Sequence, residues 1–159
     1  MIPGIEDPRI EKILNLPGRQ SDDWKRDLER FVAGDVTLDR HTAGENSIMS
    51  LQRMLIFLGY STMTTGAFAV DGDFGRGTNR GVAHFAFEHN LPGSPSRAQL
   101  CYDCTYRNAR ARITAIPDVR VTVPILEKMV EVALGAIEEG NMLGRDFDVA
   151  MEHLNRISP

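Results

Sequence analysis

The chain has 159 residues, 42% of them hydrophobic and 25% charged, with a formal net charge of -4. That balance belongs to an ordinary globular domain. It excludes a surface built as a whole to attract nucleic acid, and no run approaches the roughly 20 apolar residues of a membrane span.

The first 20 residues, MIPGIEDPRIEKILNLPGRQ, mix prolines with charges and lack the apolar stretch of a secretory signal. They read as an irregular arm with a short helix over 8–16. Ser21 is placed to cap a second helix, in which Trp24, Leu28, Phe31 and Val32 share a face and Gly34 provides the stop. A polar linker, DVTLDRHTAGEN, follows. SIMSLQRMLIFLGYST is the clearest helix: Ile48, Leu51, Met54, Leu55 and Leu58 recur at helical intervals, Ser47 is the expected cap, and Gly59 stands at a left-handed stop.

A turn-rich connection leads to VDGDFGRGTNRGVAHF, residues 70–85. Thr78 is expected to cap a helix with Val82, Phe85, Ala86 and His89 on one face. Residues 96–116 are rich in arginine, carry a lone CxxC (Cys101 and Cys104), and give no periodic signal. The pattern resumes at Thr122, ahead of Val123 and Pro124. There Ile125, Met129, Val132, Ala133 and Ala136 form a stripe, while Glu127, Lys128, Glu131, Glu138 and Glu139 face water. A last amphipathic helix over 145–156 uses Phe147, Ala150, Met151 and Leu154. Strand alternation is confined to RVTV, so the fold class is all-α.

The glycine-rich stretch invites three functional readings, and two fail on spacing. A calcium loop counted from Asp71 places Gly75 and Val82 where oxygen ligands are required. A dinucleotide fingerprint needs GxGxxG after a buried strand, whereas Gly75, Gly77 and Gly81 give GxGxxxG after GAFAV. The third reading is structural: Asp71-Gly72 makes a tight turn, Phe74 plugs the core, and Gly75 and Thr78 launch the helix.

Taken together, LQRMLIFLGY, VDGDFGRGT and GVAHF resemble the peptidoglycan-binding domain of bacterial and phage cell-wall hydrolases. The matching positions are Leu51, Gln52, Leu55, Leu58, Gly59, Tyr60, Asp71, Gly72, Phe74, Gly75, Thr78, Gly81, Val82 and Phe85. The likeness covers about residues 46–91 and continues weakly at IPDVRVTVPILEKM. This chain departs from the family pattern at Gly81 and Ala86, and in the roughly twenty residues inserted between the second and third helices. The resemblance implies a compact three-helix core with an insert at about 94–116. On that division, 1–45 forms an N-terminal arm and helix, 46–140 the helical domain, and 141–159 a C-terminal helix leading onward.

It further implies a non-catalytic module that targets peptidoglycan, glycan strand or stem peptide, within a hydrolase, lysin or secreted antibacterial effector. Such a module acts in the periplasm or cell wall, reached by a trimmed signal or by a route that needs none. Tyr60, Arg76, Arg80 and His84 are the candidate ligand-binding groups beside the helix-launching turn, since such a ligand offers amides, carboxylates and hydroxyls. No cofactor is expected. Two alternatives stand beside this reading. One is a protein-interaction domain that keeps the scaffold without binding murein. The other is a small zinc-dependent wall hydrolase using Cys101, Cys104, His84 and His89, although one CxxC supplies only half of about four ligands and the two histidines are five apart.

Overall fold

The computed structural model describes residues 2–16, 22–35, 37–39, 45–60, 70–95, 117–140 and 146–158. Among them the fold is all-helical, with α1 (Pro8–Leu14), α2 (Asp22–Val32), α3 (Glu45–Phe57), α4 (Arg76–Glu88), α5 (Val123–Glu139) and α6 (Phe147–Arg156). The expected RVTV strand reduces to one antiparallel bridge between Leu38 and Val121, where the Val121 amide donates to the Leu38 carbonyl at 3.0 Å.

Local chemistry explains where these helices begin and end. Asp7 caps α1 by accepting from the Arg9 amide at 2.9 Å, with Pro8 behind it. The Arg9 guanidinium returns to the same carboxylate at 3.0 and 2.9 Å. Those bonds hold the Asp7 carboxyl down at about 2, below its ordinary 3.8. Thr122 caps α5, and Asp146 caps α6 by accepting from the Val149 amide at 2.8 Å. Gly34 and Gly59, at φ 85° and 93°, close α2 and α3 as the sequence leads one to expect. At Gly59 the Tyr60 amide reaches back to the Leu55 carbonyl at 2.8 Å, and the Gly59 amide reaches Ile56 at 3.0 Å.

Two caps differ from expectation, and for one reason. Both helices start earlier than their hydroxyl residues. Ser47 and Thr78 each occupy the third helical position, behind Glu45 and Arg76 respectively. Their hydroxyls point sideways: Ser47 donates to the Asp27 carboxylate on α2, and Thr78 meets Gln52 on α3. Ser21 lies outside the described residues.

α3 is the hub. It packs against α1, α2, α4 and α6, while α1 also touches α5 and α6. One apolar core runs from Ile2 to Leu154 and includes Trp24, Phe31, Met54, Leu55, Phe74, Phe85, Met129 and Val130. The terminal helices therefore share the core with the motif helices. Val32 departs from its expected face and is 39% exposed, one position beyond the buried Phe31. On α5 the buried stripe also takes in Leu126 and Val130. No described helix is long and apolar enough to cross a membrane.

Candidate functional site

The turn at residues 71–75 is organised by a side chain on another helix. Gln52 is fully buried on α3. Its Oε1 accepts from the Asp71 and Gly72 amides, each at 3.0 Å. Its Nε2 lies within donating distance of Asp71 Oδ1 at 2.9 Å, the Asp73 carbonyl at 3.0 Å and Thr78 Oγ1 at 3.0 Å. A buried carboxamide leaves no polar atom idle when it is matched in this way. Asp71 Oδ1 also accepts from the Asp73 amide at 2.9 Å, so this carboxylate oxygen is engaged in shaping the bend.

Gly72 has φ 77°, the left-handed region where glycine carries no Cβ penalty. Gly75 does not need that freedom. It adopts φ -92° as the N-cap of α4, and an added Cβ would meet only Asp73 Oδ2 at 3.8 Å. The expectation that Gly75 enables the turn is corrected accordingly. Phe74 is the core plug the sequence indicates, at 3% exposure, and Phe85 is completely buried. Leu51, Leu55 and Val82 lie in the same core, and Leu58 packs at its edge.

Asn79 adds a second polar anchor that sequence reasoning did not single out. Its Nδ2 donates to the Pro117 carbonyl at 3.1 Å and its Oδ1 accepts from the Val119 amide at 2.8 Å. It thereby ties the strand-like segment entering α5 to the first turns of α4.

The four candidate binding residues do not converge. Arg76 is exposed at the start of α4, and Arg80 is half-buried one turn along the same face. The Arg80 Nε is buried and meets no hydrogen-bond acceptor among the described residues. Tyr60 lies toward the other end of α4. Its ring packs edge-on to Phe85 at 5.5 Å and its hydroxyl donates to the Glu88 carboxylate. Arg76 and Glu88 are separated by about 18 Å of helix rise. His84 is only 8% exposed, a correction to its expected place on the surface. The physical reason is that α4 is enclosed on several sides: Gly77–Asn79 and Gly81–Ala86 are all buried.

His89 packs on Phe85 with ring centroids 4.4 Å apart. Burial, with the nearby Lys128 ammonium, pushes its imidazole pKa down. Cys101 and Cys104 lie outside the described residues, as do Arg97, Arg107, Arg110 and Arg112. Among the described residues no three His, Cys, Asp or Glu side chains come together as a metal centre would require.

A groove of ≈ 300 Å³ lies between α1 and α2, away from the motif. Ile5, Trp24 and Leu28 give it an apolar lining beside Glu6, Glu11, Lys25 and Glu29. Lys25 pairs with Glu11 at 2.8 Å. Protein-family models, curated proteins and solved structures yield no match to this chain.

Proposed function

We propose that the chain is a non-catalytic module that binds cell-wall peptidoglycan, as the targeting part of a hydrolase, lysin or secreted antibacterial effector acting in the periplasm or wall. What supports this reading is the Gln52 network. The residues that carry the resemblance (Gln52, Asp71, Gly72 and Thr78) form one hydrogen-bonded unit, with Phe74 and Phe85 packed beneath it. A shared sequence pattern thus coincides with one physical role, which is to fix the start of α4.

The ligand surface in this reading is the α4 edge with Arg76 and Arg80 at one end and Tyr60 with Glu88 at the other. Arginine donors suit the carboxylates of stem peptides. A tyrosine ring beside a carboxylate suits sugar faces and hydroxyls. Their separation along the helix favours an elongated polymer over a compact ligand. His84 stays in the interior and supports α4 from within.

Co-sedimentation with purified sacculi tests the reading. The chain pellets with murein, and the combined Arg76→Ala, Arg80→Ala and Tyr60→Ala variant stays largely in the supernatant while keeping its helical content. Absence from the pellet across several wall chemotypes overturns the proposal.

A second reading, a protein-interaction domain on the same scaffold, is favoured by the α1–α2 groove with its apolar lining and charged rim. A stoichiometric protein partner, captured in the absence of murein binding, selects it.

A further inference from the structure

Arg53 follows Gln52 on α3 and is 1% exposed. A guanidinium taken out of water needs all of its donors satisfied. Here Nε donates to the Ile13 carbonyl at 2.6 Å, and Nη2 donates to the Lys12 carbonyl at 3.0 Å and to Asn155 Oδ1 at 3.1 Å. Nη1 donates to Ser158 Oγ at 2.7 Å and to the Leu154 carbonyl at 3.4 Å. The Ser158 hydroxyl itself donates to the Leu154 carbonyl at 2.7 Å. No carboxylate shares the site among the described residues. Burial lowers the Arg53 pKa to about 10, which leaves the group charged at neutral pH.

The acceptors have a common origin. Lys12 and Ile13 are in the last turn of α1, and Leu154 and Asn155 are in the last turn of α6. Carbonyls there lack intrahelical donors and carry the negative end of the helix dipole. One cation on α3 thus supplies donors to two open carbonyls of α1 and, at the end of α6 more than a hundred residues away, to the Leu154 carbonyl and the Asn155 and Ser158 side chains. Ser50, one turn earlier on α3, donates to the Leu14 carbonyl at 2.6 Å and completes the α1 end.

We propose that Arg53 is a clasp that couples the two ends of the chain, so that α1 and α6 loosen together while α4, which packs on α3 and not on either end, keeps its place. If α6 leaves, Arg53 loses the Leu154, Asn155 and Ser158 oxygens at once. A buried charge stripped of three of its five acceptors is costly until water reaches it. Water enters where α6 was, the guanidinium turns toward it, and the Lys12 and Ile13 carbonyls at the end of α1 lose their donors. The reverse sequence holds when α1 leaves first. The ends therefore open as one sub-global unit, distinct from the Gln52 network. This inference stands independently of any wall binding.

Hydrogen exchange on the full chain tests the clasp, comparing Arg53→Met with the double variant Asn155→Ala/Ser158→Ala. The double variant leaves every α1 acceptor intact and keeps the test available if Arg53→Met fails to fold. The expected result is exchange about tenfold faster in peptides covering both 8–15 and 147–157, with 76–88 unchanged. Acceleration confined to 147–157 in the double variant overturns the coupling. Equal acceleration across all helices also overturns it, because Arg53 would then be only one part of the global core.

Discussion

Gln52 and Asp71 hold each other from both sides: the Gln52 oxygen accepts the Asp71 amide at 3.0 Å, and the Gln52 nitrogen donates to the Asp71 carboxylate at 2.9 Å. Replacing Gln52 with Ala removes this exchange together with the bonds to Gly72, Asp73 and Thr78. A loss of about 2–4 kcal/mol is expected, from stranded polar groups and the vacated volume together. Urea unfolding checks it, and a change below about 0.5 kcal/mol would show that the turn sets itself without Gln52.

Phe74 and Phe85 reach the core from two parts of the motif, one in the turn and one on α4. Each Phe→Ala change is expected to cost about 3–5 kcal/mol, because each ring is almost fully buried. Denaturant titration measures both. Near-neutral values at either position contradict the packing described.

The two motif glycines separate cleanly. Gly72→Ala forces an L side chain into φ 77° and is expected to cost about 1–2 kcal/mol. Gly75→Ala meets ordinary backbone and one van der Waals neighbour, so a change within about 0.5 kcal/mol is expected. Thermal melts of the two variants, run side by side, make the comparison.

Acid sensitivity has two sources of the same sign. Asp7 is held at about 2, below its ordinary 3.8. It therefore contributes stability above the unfolded value, and loses it as pH falls toward 2. The His89 pKa is lowered by burial and then by Lys128, so the folded state resists its protonation. That cost appears as pH drops below about 6.5, where the unfolded chain takes up the proton. Asp7→Asn is expected to flatten the stability profile between about pH 4 and 2, and His89→Phe to flatten the step nearer pH 6. Unfolding midpoints measured across pH read both steps.

Much of this architecture was legible because it follows local rules. Gly34 and Gly59 mark helix ends through positive φ, Asp71-Gly72 marks a bend, and the periodicity of 48–58 marks the central helix. Ser47 and Thr78 misled for a shared reason. A cap-type residue inside the first turn gives the same sequence signal as one at its edge, and only tertiary partners on α2 and α3 decide between them. The roles of Gln52 and Arg53 were hidden differently. α3 carries apolar residues all around its circumference, with Ile48, Met49, Leu51, Met54 and Leu55 all buried. A helix enclosed on every side obliges its polar residues to find partners. The adjacent Gln-Arg pair at its centre was the available signal, but the identity of those partners, residues 12 to 158 along the chain, depends on long-range packing. His84 was misplaced for the converse reason: a polar residue on an enclosed helix goes inside with its neighbours.

Whether the α4 edge meets peptidoglycan is decided by amide chemical shifts, recorded while soluble muropeptides are titrated into the folded chain. Shifts are expected to cluster at Tyr60, at 74–80 and around Glu88, with 8–14 and 147–156 silent. Spectra that stay unchanged at saturating muropeptide, or shifts gathered in the α1–α2 groove instead, contradict binding at that edge.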